Sequence, residues 1–388
     1  MKRVVFFLFS LFFFCFSVYA EEFDITGKYV SLYNMNEDML IYSKNDTKKT
    51  SIASLTKMMT TLVAIENIDD LEKVITIKER DFDGTVGYSK AGFSVGDKVT
   101  YLDLLYGIIL PSGADAVNAI VNNTLGYNSF IKKMNETAKK IGMNDTSFAN
   151  PIGKDDENNY STSSDIAKLL KYALKNETFK KVFTTKSYKT SNGINLESTV
   201  NSYKSILNTS EILGAKSGFT KNAGRCLASI TTLNGVDYLL VVINSSTSSP
   251  SNAVKDTITI YDYYSSNYGY KNILNDDTFI KEIPVDLSKE KTYKITGNED
   301  VNKYLKNGDE VTYEYVGSDK ITFNTKKGSK LGVVNIYNGD ELIATSNVYL
   351  ENNIEYYPIV TYVLIFIGVI FILLIIRKSK KNHRRRRR

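Results

Sequence analysis

Ser54 and Lys57 stand three residues apart in the stretch Ser51-Ile-Ala-Ser54-Leu-Thr-Lys57-Met-Met-Thr60. Leu55, Met58, Met59, Leu62 and Val63 follow helical spacing, so the stretch reads as the start of a helix with Ser54 at its cap or first turn. On that helix the hydroxyl and the amine share one face. A serine there can act as an acyl-transfer nucleophile, and a lysine can be its base if burial and a second cation hold it neutral. An ordinary capped core helix, its lysine reaching solvent, has the same pattern.

Two further groups have chemistry to offer. Ser112 opens the loop Pro111-Ser-Gly-Ala-Asp115 between two apolar helical runs, where a hydroxyl can project into a cleft. It could equally cap the helix that carries Asp115. Lys216-Ser217-Gly218 lies on a strand, offering a cation, a hydroxyl and bare backbone to an anionic extended peptide. Lys216 could instead be a simple edge-strand charge.

Composition narrows the choice. The chain has a single histidine, His383, in a basic tail. A Ser-His-Asp triad, a Cys-His dyad and a histidine-ligated metal site are thereby excluded upstream, so if a serine is activated here, lysine is the base that remains. No metal or other cofactor is called for.

The elements around these residues read in order. Residues 29–42 form a hairpin about the turn Asn34–Asp38, and the Ser54 helix follows. Helices cover 102–109, 116–121, 128–141 and 166–174, the last behind the cap cluster Ser161–Asp165. Strands at 213–219, 225–232 and 236–243 include a hairpin at Asn234-Gly235, and a helix covers 254–264. Strands at both ends with helices between them make an α+β domain, an antiparallel sheet covered by helices. From Phe279 the pattern turns to short alternating strands at 283–285, 292–295, 311–316, 321–323, 331–337 and 342–350. They read as a small all-β domain, a spacer before the membrane.

Both ends are membrane signals. Residues 1–20 read as a secretory signal peptide cleaved after Ala20. Ile359 to Ile376 is uncharged and long enough to span a bilayer, with Tyr356, Tyr357 and Tyr362 where an aromatic belt would lie. The tail 377–388 carries 9 basic residues. The positive-inside rule puts it in the cytoplasm and the remainder outside the cell. Without the tail and the 2 basic residues of the leader, 38 basic face 43 acidic residues, so nucleic-acid binding is not supported. Cys226 is the one cysteine of the exported part, reads as a buried small residue, and has no disulfide partner. The expected organisation is signal peptide 1–20, catalytic domain 21–275, all-β domain 276–352, transmembrane helix 359–376 and cytoplasmic tail 377–388.

Taken together, Ala53-Ser54-Leu-Thr-Lys57-Met-Met-Thr60, Ser112-Gly113-Ala114-Asp115-Ala116 and Lys216-Ser217-Gly218-Phe-Thr220 resemble the three signatures S-x-x-K, S-x-N and K-[T/S]-G. These belong to the serine D-alanyl-D-alanine carboxypeptidases, low-molecular-mass penicillin-binding proteins of the β-lactamase-like superfamily. Asn150-Pro-Ile-Gly153 and Thr162-Ser-Ser-Asp165-Ile-Ala167 are similar to further family segments, and the likeness covers about residues 25–350.

The resemblance implies that Ser54 attacks the D-Ala-D-Ala bond of a peptidoglycan stem peptide, with Lys57 as base and Ser112 relaying a proton to the leaving amine. Lys216 and Ser217 would hold the terminal carboxylate. The N–H groups of Ser54 and Phe219, beside Gly218, would form the oxyanion hole. β-Lactams would acylate the same serine. The chain departs from the family at Ala114, where asparagine is usual, and before its last helix, where Ser246 to Ser251 offers no cation and Lys255 is the nearest. Two other functions use the same fold. A β-lactamase needs a group for fast deacylation, and no glutamate set four before an asparagine stands in the expected loop. An attenuated surface scaffold has no use for the full set of motif residues.

Overall fold

The computed structural model describes residues 23–386 except 324, so the signal-peptide expectation and the last two arginines lie outside the described residues. The chain divides into two compact units between Ser266 and Asn267.

In the first unit β1 (Tyr29–Asn34) and β2 (Met39–Lys44) form the expected hairpin. Then come α1 (Thr56–Asn67), the short pair β3 (Val74–Thr76) and β4 (Lys98–Thr100), and α2 (Tyr101–Ile109). Next are α3 (Ala114–Asn123), α4 (Tyr127–Lys140), α5 (Ser163–Ala173) and α6 (Glu177–Thr184). A small hairpin of β5 (Ser187–Lys189) and β6 (Asn195–Glu197) leads to β7 (Gly214–Thr220), β8 (Gly224–Leu233), β9 (Val236–Ser245) and α7 (Asn252–Asn267). The main sheet is antiparallel throughout, in the order β2-β1-β9-β8-β7.

Local chemistry explains these elements. Thr100 caps α2, accepting from Asp103 N–H at 3.0 Å, while Thr100 N–H donates back to the Asp103 carboxylate at 2.9 Å. Thr162 caps α5 in the expected cluster, accepting from Asp165 N–H at 3.0 Å. The β8–β9 turn has positive φ at both Asn234 and Gly235, as a two-residue hairpin of right-handed twist requires. Every residue of α1 from Thr56 to Ala64 is buried, so α1 is the core helix and its apolar side chains each contribute about 1.5–3 kcal/mol on burial. Helix α5 packs on β1 and β9, while Ala253 and Val254 of α7 bury Ala215 and Leu227 on the other face. The turn before α1 packs on β7, and with the α2–α3 loop these elements line the site.

Helix α6 and the β5–β6 hairpin were not expected. Helix α6 is two turns long, held by buried Phe179, Val182 and Phe183, and each strand of the hairpin has three residues. Such short pieces give no sustained periodicity.

The second unit holds β10 (Tyr268–Leu274), β11 (Phe279–Pro284), β12 (Thr292–Thr296), β13 (Val301–Lys306), β14 (Val311–Gly317), β15 (Lys330–Asn338) and β16 (Glu341–Tyr349). They pair as β10–β13, β11–β12 and β14–β15–β16 around a core of Ile283, Ile295, Val334 and Ile336, among others. β10 and β13 were missed because polar residues and lysines dilute their alternation. The strand expected at 321–323 is only a single bridge from Ile321 to Val285. Helix α8 (Ile359–Arg386) contains a window, Tyr362–Ser379, that is long and apolar enough to cross a membrane and is not buried in the protein.

Candidate active site

Ser54 does not cap α1. It sits in a tight 3-10 turn, Ala53–Leu55, entered through Ala53 at φ 47°. The cap position is Leu55, which makes no side-chain cap bond. The Ser54 hydroxyl instead accepts from Lys57 Nζ at 2.9 Å, and the same amine donates to the Ile152 carbonyl at 2.8 Å. Lys57 is 1% exposed. Burial pushes its amine down to about 7, against the opposing charge of Asp115. The lysine therefore does not reach solvent.

The loop Asn150–Gly153 builds the floor under this pair. Asn150 Oδ1 accepts from Gly153 N–H at 2.7 Å and Lys154 N–H at 2.8 Å. Thr60 of α1 donates to the Pro151 carbonyl at 2.6 Å. These bonds aim the Ile152 carbonyl at Lys57.

Ser112 occupies the α2–α3 loop at φ 66° and does not cap α3, whose cap position is Gly113. Asp115 accepts from Ala91 N–H at 2.7 Å and Gly92 N–H at 3.3 Å, tying that loop to the segment that carries Tyr88 and Ser89. Ala114 is fully buried and lies outside the cleft wall.

β7 closes the other side as the edge strand of the main sheet. Gly218 packs against the nucleophile turn so closely that a Cβ there would lie 3.0 Å from Ser54 N. The Ser217 hydroxyl shares a 2.6 Å hydrogen bond with Thr199, and Phe219 is 48% exposed. Lys216 is fully buried, and its Nζ donates to the Ser217 carbonyl at 2.9 Å. Burial, then repulsion from Lys57, holds its amine well below the ordinary lysine range. An edge-strand surface charge is thus excluded. So is the simple asymmetry that would keep Lys57 neutral and Lys216 charged by burying Lys57 more deeply, because both amines are buried.

Ser54, Ser112, Ser217, Gly218 and Phe219 line one cleft of about 250 Å³. Thr199 and Arg225 line it too, and neither was singled out from the sequence. Arg225 hides in an apolar strand run and Thr199 in a region without periodicity. Among the described residues no cluster of side chains is suited to a metal ion. Cys226 is buried, as expected, and burial pushes its thiol up to about 12.

A family model described as D-alanyl-D-alanine carboxypeptidase matches residues 17–247, and one described as the C-terminal domain of penicillin-binding protein 5 matches 268–356. D-alanyl-D-alanine carboxypeptidase DacF of Bacillus subtilis is 28% identical over 343 residues, 87% of this chain and 88% of that protein. The D-alanyl-D-alanine carboxypeptidase of Streptomyces sp. strain K15 is 33% identical over 227 residues, 54% of this chain and 78% of that protein. Penicillin-binding protein 5 from Haemophilus influenzae shares the fold, with TM-score 0.62 and 23% identity over 87% of this chain and 99% of that one. A mutant of the Streptomyces K15 DD-transpeptidase aligns with TM-score 0.58 and 32% identity over 62% of this chain and 98% of that one.

Proposed function

The chain belongs to the D-alanyl-D-alanine carboxypeptidase family, and from that premise we propose that it removes the terminal D-alanine of peptidoglycan stem peptides through an acyl-serine intermediate. The observation that carries the reading is the Ser54–Lys57 contact at 2.9 Å with a buried amine lowered to about 7. A neutral lysine can take the serine proton, and a base whose pKa sits near the working pH is worth about 10²–10⁴ in rate.

Ser54 Oγ adds to the carbonyl carbon of the penultimate D-alanine while its proton passes to Lys57 Nζ. The N–H groups of Ser54 and Phe219 receive the oxyanion; support comes from the close approach of β7 to Ser54 N. The C–N bond breaks, a proton delivered through Ser112 completes the leaving amine, and D-alanine departs with its carboxylate. Water then adds to the ester as Lys57 takes one of its protons, the bond to Ser54 Oγ breaks, Lys57 returns that proton to Oγ, and the shortened peptide leaves as a carboxylate. Ser217 lines the cleft where we place the substrate's terminal carboxylate, and Lys216 is buried behind it, its amine on the Ser217 carbonyl. β-Lactams enter by the same route and stop at the ester.

The apolar helix at the C-terminus anchors the chain in the cell membrane as a single pass, with the catalytic unit outside and the basic tail in the cytoplasm. Incubating the full-length protein in detergent with an N-acylated D-Ala-D-Ala peptide should release free D-alanine in a Ser54-dependent manner. An absence of release from folded protein contradicts the reading.

A further inference from the structure

Leu287, in the turn between β11 and β12, is 53% exposed and holds φ at +55°. An ordinary side chain adopts that left-handed backbone only where its surroundings impose it. The surroundings here are the last residues before α8. Tyr357 N–H donates to the Leu287 carbonyl at 2.8 Å, Lys289 N–H donates to the Glu355 carbonyl at 3.0 Å, and Ser288 pairs with Tyr356 as an antiparallel bridge. The Lys289 amine closes on the Glu355 carboxylate at 2.7 Å. On its other side Tyr356 shares its hydroxyl between the Thr322 and Thr325 carbonyls, each at 3.2 Å, and sets its ring edge-on to Phe323 at 5.4 Å. The segment 355–357 is thus fastened into the all-β unit, with Leu287 fastened to it. Helix α8 starts at Ile359 and its apolar window at Tyr362. From Tyr357 that is two extended steps and three helical ones, about 12 Å at most. The interfacial layer on each side of the hydrocarbon is itself about 5–8 Å thick.

We infer that the turn 286–291 docks on the outer surface of the bilayer that α8 crosses, with Leu287 seated among the lipid headgroups. This rests on the membrane-anchor reading and deepens it. A leucine pushed outward on a strained turn gains nothing in water, whereas the interfacial layer covers its apolar surface. Tyr357 is 46% exposed, and its ring suits the same depth, apolar at one end and wet at the other. Lys291 in the same turn and Lys326 next to Thr325 are exposed cations that suit lipid phosphates. A helix alone leaves the unit it carries free to swing. A second contact beside the helix holds the all-β unit at one tilt on the bilayer, so the spacer also orients.

The chain contains no tryptophan, so one substitution supplies a unique fluorophore. Full-length Leu287→Trp, Tyr357→Trp and Leu342→Trp are each reconstituted in phosphatidylglycerol–phosphatidylcholine vesicles, with and without bromine on the acyl chains near the glycerol. Leu342 is the matched control: it is 52% exposed, but it lies beside the Asn338-Gly339 turn, about 23 Å along β16 from Tyr349. Brominated lipid should quench Leu287→Trp nearly as strongly as Tyr357→Trp, with emission shifted to the blue, and leave Leu342→Trp unchanged. Emission from Leu287→Trp as unquenched as that from Leu342→Trp, beside a quenched Tyr357→Trp, overturns the docking and leaves the anchor standing. Equal quenching of Leu287→Trp and Leu342→Trp also overturns it, because the unit then meets lipid without regard to the turn. An unquenched Tyr357→Trp, or protein that does not float with the vesicles, overturns the membrane-anchor reading itself.

Discussion

Gly153 packs so tightly on Ala53 that a β-carbon at Gly153 would lie 2.1 Å from the Ala53 carbonyl oxygen. Gly153 also holds φ at +86°, where other residues are strained. The floor loop and the nucleophile turn are thus locked together through bare backbone. Gly218 presses on the same turn from the other side, 3.0 Å from Ser54 N by the same measure.

The two glycines predict two different defects. Gly153→Ala should cost about 1–3 kcal/mol of stability, through strain and a backbone clash, and should also slow acylation. Gly218→Ala calls for a shift of only a few tenths of an ångström. It should leave the melting temperature nearly unchanged and lower the acylation rate by about 10²-fold, because small misplacements of reacting groups are expensive. Melting curves beside penicillin-labelling rates check both. Equal behaviour of the two variants would contradict the assignment.

The lowered Lys57 amine sets the pH dependence. A base acts in its neutral form, so kcat/KM for peptide cleavage should rise with pH and level off through an inflection near 7. Stability should move the same way. Between about 7 and 10.5 the unfolded chain binds a proton at Lys57 that the folded chain does not, so folding is favoured as pH rises through that window. A pH–rate profile flat from 6 to 9 on folded protein would contradict Lys57 as the base.

Much of this site was legible in the sequence because its side chains fall in short, regular motifs. Ser54 and Lys57 were singled out by helical spacing and the absence of histidine, whereas Ser112 and Lys216 to Gly218, each weak alone, drew notice as motifs in order, and Phe219 came with the family resemblance. The floor was not legible as chemistry, since the Ile152 carbonyl that holds Lys57 is a backbone group with no side-chain signature. Arg225 reached the cleft through cross-strand register, which the sequence does not state. The charge balance of Lys57 and Lys216 was not legible either, because it depends on burial in the finished fold. Long periodic elements such as α1 and the β8–β9 hairpin were plain, while α6, β10 and β13 were too short or too polar to show.

Ala114 stands where related motifs usually carry asparagine, and it is buried rather than set in the cleft wall. Ala114→Asn should raise peptide cleavage severalfold if the added amide turns toward Lys57. A lower rate with a lower melting temperature would mean that the pocket around Ala114 has closed over the position.

The proposed membrane topology rests on the apolar helix α8 and the 9 basic residues of the tail. Protease added to intact cells should release the catalytic unit and leave the arginine-rich end protected. Protection of the catalytic unit in cells whose other surface proteins are cut would reverse the assigned sidedness.

Intact-mass analysis after incubation with penicillin tests the acyl-serine mechanism most directly. The protein should gain one penicillin, mapped to the peptide that contains Ser54. Ser54→Ala should take none, and Lys57→Ala should fold yet lose most of the acylation rate, about 10²-fold or more. Label on any other residue, or unimpaired acylation of Lys57→Ala, would contradict the account.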